Sequence, residues 1–192
     1  MTRSALLFVL LAAWGCSSAV SPAPFAVQAL GGKSVWIPAA RNSANADLRL
    51  PGANPLRSVG EIAGKVSPDY RPTVMDLLRA ALKRELERRK ALARLPEEHD
   101  MRLSVLPLAH NAAARIGREG GLDGALLLTE VRRWDADTAG LLRVWVEFKL
   151  VRIADGALLW ERRVQKVVAA GRTGNPAEIH SDAVREIVRD LF

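Results

Sequence analysis

The sequence predicts an α/β fold: a mixed sheet of about five strands that includes an antiparallel three-strand meander, with three helices. Two patterns and one kind of punctuation predict it. Val74, Leu77, Leu78, Ala81, Leu82 and Leu86 recur at helical spacing. Leu142, Val144, Val146, Phe148 and Leu150 alternate with Arg143, Trp145, Glu147 and Lys149, the period of a strand with two unlike faces. Gly and Pro clusters separate such segments at intervals that suit short strands and helices. The chain has 192 residues, 49% of them apolar, enough for one domain with a real core and a short appendage.

The elements follow in order. Lys33 to Pro38 (KSVWIP) is β-rich and ends at a proline, which makes it the first strand. Residues 39–72 contain Pro51, Pro55, Pro68 and Pro72 with Gly52, Gly60 and Gly64, a long irregular loop in which Ile62 to Val66 forms at most a short strand. Thr73 with Asp76 three residues on reads as a capping box, Asp standing for the usual Glu, and opens a helix over 73–92. Its polar face carries Arg79, Lys83, Arg84, Glu87 and Arg88. Met101 to Leu106 reads as a strand stopped by Pro107, and Ala109 to Arg118 as a small-residue helix (109–118) closed by Gly120-Gly121. The meander occupies 123–134, 142–153 and 157–168. Asn175-Pro176-x-Glu178 then starts the closing helix, 176–191, with its stripe of Ile179, Ala183, Ile187 and Leu191.

Charge pairing decides the register of the last hairpin. A two-residue loop sets Leu150 against Glu161 and Phe148 against Arg163. A three-residue loop at Ala154-Asp155-Gly156 pairs Leu150 with Trp160 and Val146 with Val164, and sets Lys149 opposite Glu161 and Glu147 opposite Arg163. Opposite charges across strands contribute roughly 0.2–1 kcal/mol each, so the three-residue loop wins. Gly156 supplies the left-handed residue that such a turn needs.

The amino terminus has a different character. Arg3 precedes an apolar run from Ala5 to Trp14, too short to span a bilayer but suited to a secretory signal. Cys16 follows Ala13-Trp14-Gly15, and residues 1–16 resemble a bacterial lipoprotein signal, with Ala13 where Leu is usual and Trp14 where a small residue is preferred. In that family the cysteine becomes the lipidated mature amino terminus, and Ser17-Ser18 directs the protein to the outer membrane. Ordinary secretion, with cleavage after a small-residue motif such as Ala13-x-Gly15 or Ser17-x-Ala19, is the alternative. The expected organisation is a lipoprotein signal peptide at 1–15, a flexible tether at 16–32 and a single α/β domain at 33–192. Loss of 1–15 removes Arg3 and lowers the formal charge by one, from +7 to +6.

One Cys rules out an internal disulfide, and three scattered His leave no ordinary zinc site. No phosphate loop, zinc-protease helix or nucleophile elbow is present, so neither a catalytic residue nor a cofactor is expected. His99, His110 and His180 read as surface or cap residues, and Asp135 and Asp137 as turn residues. The cations Lys83, Arg84, Arg88, Arg89, Lys90 and Arg94 alternate with Glu85, Glu87, Glu97 and Glu98, a solvated face and not a nucleic-acid site. Trp145 stands out: it lies on the polar face of its strand opposite Gln165, either covered by another element or anchoring a partner together with Arg143 and Lys149.

Gly121-Leu-Asp-Gly-Ala-Leu-Leu-Leu, Trp134-Asp135, the strand Val144 to Ile153 and Asp155-Gly156-Ala-Leu-Leu-Trp160 resemble a group of small envelope lipoproteins with the pattern GADAVL…WD…long strand…TGxxLW. Val35 to Asn42 (VWIPAARN) is similar to that group's VLPxxN. Gly124 departs from the pattern, which has Ala there. The group has a fold similar to the TolB amino-terminal domain, with CsgG and LpoB as distant fold relatives. The resemblance implies a non-catalytic module hung from the membrane and binding envelope proteins. The expectation is therefore an outer-membrane-anchored periplasmic lipoprotein, an accessory or assembly factor of a secretion or transport complex, with self-association through a strand edge open to it. A regulator of a peptidoglycan-synthesising enzyme is the alternative, although residues 17–32 reach only about 55 Å. A hydrolase or carbohydrate binder would need Glu130, Asp135 and Asp137 in one cleft.

Overall fold

The computed structural model describes residues 32–44, 46, 48, 50, 73–103, 106–136, 141–169 and 176–192. Residues 1–31, with Cys16, and 51–72, with the Ile62 to Val66 segment, lie outside the described residues. The elements are β1 (Ser34–Trp36), β2 (Arg41–Asn42), α1 (Val74–Arg88), β3 (Leu92–Arg94), α2 (His110–Glu119), β4 (Ala125–Ala136), β5 (Leu141–Arg152), β6 (Leu158–Ala169) and α3 (Pro176–Leu191). The strands form one mixed six-stranded sheet, in the order β3-β1-β4-β5-β6, with β2 beside β4. The pairings of β1 with β3 and β4 are parallel, whereas β4, β5 and β6 form the antiparallel meander.

Alternation on the long strands makes two cores. On one face Leu127, Leu142, Val144, Val146, Phe148 and Leu150 pack beneath α1 and α3, which contribute Val74, Leu78, Leu82, Leu86, Ile179, Ala183 and Ile187. On the other face Trp36, Leu126, Leu128, Val151 and Ile153 meet Ala113 and Ala114 of α2 with Leu103, Leu106 and Leu122. Each fully buried Leu, Ile or Phe contributes roughly 1.5–3 kcal/mol relative to exposure. The second core ends partway along the strands, and past it the same face turns polar.

Helix ends follow local chemistry. Thr73 Oγ1 accepts from the Asp76 N–H at 3.3 Å and Asp76 Oδ2 accepts from the Thr73 N–H at 2.8 Å, the reciprocal box expected of these residues. The helix stops at Arg88 and not at residue 92, because Lys90 takes a left-handed φ of 62° that turns the chain directly into β3. Arg79, assigned to the solvated face, instead donates through Nε to the Ile37 carbonyl at 2.7 Å and pairs with Glu97.

Two expectations are corrected. The strand expected at Met101 to Leu106 is absent: An apolar run bordered by Pro107 cannot by itself separate the two. Arg41–Asn42, assigned to the irregular loop, is a short strand paired in parallel with Glu130 and Val131. The hairpin register is as expected: Leu150 faces Trp160, Val146 faces Val164, Trp145 faces Gln165, and Gly156 has φ 75°.

Candidate functional site

Past α2, the second sheet face is built by strand parity alone. β5 places Arg143, Trp145, Glu147 and Lys149 there, and β6 supplies their cross-strand partners Val167, Gln165, Arg163 and Glu161. β4 completes the row: Asp135 lies opposite Arg143, Arg133 opposite Trp145, Glu130 opposite Glu147 and Leu128 opposite Lys149. Arg143, Arg163, Gln165 and Val167 are exposed, Trp145 and Lys149 half-buried.

The middle of this face holds two buried carboxylates, Glu130 at 4% and Glu147 at 6% exposure, directly across the strand pair from each other. Like charges so placed repel, and the geometry shows what offsets them. The register shifts between Val131 and Arg133, where a bulge adds Arg132. Its guanidinium bridges the two acids, 2.8 Å from Glu130 Oε2 and 3.3 Å from Glu147 Oε2. Arg163 Nε reaches Glu147 Oε1 at 3.1 Å, and the Ser43 hydroxyl donates to Glu130 Oε1 at 2.5 Å. Two acids and two guanidiniums thus close a balanced network that also pins the exit of β2. A carboxylate held by such forks is an acceptor already in use and a poor general base.

Trp145 sits beside this network, between Arg133 on β4 and Gln165 on β6. Its indole N–H is buried and finds no acceptor among the described residues. The side chain is thus neither a fully packed core residue nor a free surface one. Lys149 lies 3.9 Å from Glu161, the pairing that set the register. Asp135 accepts from Arg133 at 2.5 Å, and this hydrogen bond holds its carboxyl below the usual range.

Glu130, Asp135 and Asp137 do not meet in a cleft. Glu130 and Asp135 share a face, but their partners Glu147 and Arg143 are four residues apart on β5, about 13 Å along the strand. Asp137 lies outside the described residues. No group of three or more His, Cys, Asp or Glu among the described residues is placed to hold a metal ion. Sequence reasoning found the Glu147–Arg163 pair but missed Glu130 opposite Glu147. The bulge shifts the β4–β5 register, and nothing in the residue pattern marks it.

The histidines divide. His110 opens α2 and His99, exposed, contacts the Gly120 carbonyl at 2.8 Å. His180 is no surface residue: half-buried, it accepts from the Trp134 indole N–H at 2.9 Å. It stands one residue off the apolar stripe, which gave no sign of a partner on β4.

No protein-family model matches the chain, nor does any curated protein. Several solved structures are similar to it. A PelC dodecamer from Paraburkholderia phytofirmans has 15% identity and a TM-score of 0.47, over 88% of this chain and 93% of that one. XCC0632 from Xanthomonas campestris, of the DUF330 family, has 16% identity and a TM-score of 0.49, over 83% and 81%. Lipoprotein GNA1162 from Neisseria meningitidis has 14% identity and a TM-score of 0.36, over 83% and 97%. The LpoB C-terminal domain from Salmonella enterica, a relative of the group named from the sequence pattern, also matches, with 15% identity and a TM-score of 0.31 over 70% and 82%. No family is assigned from these likenesses.

Proposed function

We propose that the chain is a lipoprotein of the bacterial outer membrane, anchored at Cys16, whose periplasmic domain is a non-catalytic docking module in an envelope assembly. The observation that carries this reading is the far half of the second sheet face. There Trp145 lies between Arg143 and Lys149, with Arg163, Gln165 and Val167 exposed beside it and their ion pairs already satisfied within the sheet. Trp and Arg on one such face are the residues that dominate protein interfaces. The edge strand β6 adds three of the exposed large apolar side chains, Leu158, Leu159 and Val167, which suits strand addition by a partner or a second copy. A lipid at Cys16 would confine the domain to the membrane surface and raise its effective concentration near that partner.

Two variants test the two halves of the reading. Cys16→Ser abolishes palmitate incorporation and moves the protein from the membrane to the soluble fraction; palmitate labelling that survives the substitution overturns the anchor. Trp145→Ala lowers partner recovery in crosslinked envelopes at least tenfold with a thermal midpoint close to that of the parent. Unchanged recovery with lowered stability would make Trp145 a packing residue and remove the face from the proposal.

A further inference from the structure

Trp134 of β4 and His180 of α3 meet across 46 residues of sequence. The indole N–H donates to His180 Nδ1 at 2.9 Å, and the rings lie at 21° with centroids 6.1 Å apart. Trp134 is 4% exposed and His180 half-buried. An indole nitrogen only donates, so Nδ1 must be the bare nitrogen of a neutral imidazole with its proton on Nε2. A second proton must go onto Nδ1, where it meets the indole N–H head-on. The bond is then lost and a charge is left in a half-buried place.

We propose that the Trp134–His180 bond is a pH-operated latch, which holds the first half of α3 on the sheet while the imidazole is neutral and lets it go on acidification. His180 stands beside Ile179 and three residues before Ala183, both buried in the core under α3, so the latch acts where the helix is seated. Around α3, charged groups of the described residues are paired elsewhere. Lys166 of β6 holds Asp190 at 2.6 Å, and Glu85 of α1 holds Arg88 and Arg89 near Phe192. Asp76 of α1 is bound at its own cap, Arg133 and Asp135 pair on the opposite sheet face, and Asp182 of α3 pairs with Arg185 at 2.9 Å. β5 turns only Leu142, Val144, Val146, Phe148 and Leu150 toward the helix. Glu178 is two residues before His180 on α3 and exposed.

Burial holds the His180 pKa below its usual 6.5. A base with a lowered folded value contributes stability that is present above the unfolded value and is lost as pH falls below it. The inference goes beyond the docking role and does not rest on it.

Nitrogen-15 NMR of the intact protein between pH 7.5 and 5 tests the latch. The expected result is the Nε2–H tautomer at pH 7.5. On acidification the Trp134 indole signal shifts together with His180 titration, and amides 179–184 exchange at least tenfold faster after correction for intrinsic rates. His180→Gln offers the indole a carbonyl acceptor at every pH and keeps those amides protected throughout. Trp134→Phe removes the donor and moves His180 titration upward. An Nδ1–H tautomer at pH 7.5, or titration of His180 that leaves the indole signal unmoved, overturns the proposal without any variant. Equal acid loosening in His180→Gln overturns it as well.

Discussion

Gly124 shows how one residue can depart from a family pattern for a reason inside its own chain. Its φ is 84°, and a Cβ placed there would lie 2.2 Å from the Ser34 carbonyl oxygen, backbone that has no room to give. The Ala of the lipoprotein pattern would therefore force β1 and β4 apart at the point where their pairing begins. Gly124→Ala is expected to lower stability by more than about 2 kcal/mol, read as a fall in the urea midpoint at unchanged m. Arg132 is the second residue whose role is decided locally. Without it, Glu130 and Glu147 face each other while buried, with Arg163 the remaining cation on the pair. Arg132→Ala should cost about 3 kcal/mol at pH 7, because it strands a buried charge. Adding Glu130→Gln to that variant should recover most of the loss in a double-mutant cycle, since the repulsion goes with the charge.

At the scale of elements, the carboxy-terminal ends of α1 and α3 are joined by a chain of charge. Glu85 accepts from Arg88 at 2.8 Å and from Arg89 at 2.8 Å, while Arg89 donates to the Phe192 carbonyl at 3.0 Å and lies 5.0 Å above its ring. The hydrogen bond from Arg88, with that from Arg89, draws the Glu85 pKa down to about 2 from 4.5, against the opposing effect of burial. A carboxylate lowered in this way contributes stability that is whole above its unfolded value and disappears as pH falls through its folded one. Between pH 4.5 and 2 the thermal midpoint of the parent should fall more steeply than that of Glu85→Gln, the two converging near pH 2. Parallel slopes would show that the link is too well solvated to contribute.

For the whole molecule, the two cores predict an order of opening. The α1–α3 face gathers most of the buried side chains of the long strands, whereas the α2 face is a short cluster resting on Ala113, Ala114 and Gly117. Fewer buried apolar contacts mean a lower local opening free energy. Native-state hydrogen exchange should find α2 amides opening well below the global unfolding free energy and β5 amides opening only with it. Equal protection in both would mean that the faces unfold as one unit. A docking face beside the weaker core is also the place where a partner would add the most order.

Much of this arrangement is fixed by sequence. Thr73 and Asp76 start α1, Gly156 makes the turn, and the charges at 147, 149, 161 and 163 choose the hairpin register, because each acts over one turn of chain or one pair of neighbouring strands. The long strands' two faces follow from alternation for the same reason. The sequence cannot say which of two short apolar runs becomes β3, where a bulge sets Arg132 over a pair of buried acids, or that Trp134 and His180 meet. Those are contacts between segments far apart in the chain, and only the packing of α2 and α3 against opposite faces of one sheet brings the partners within reach.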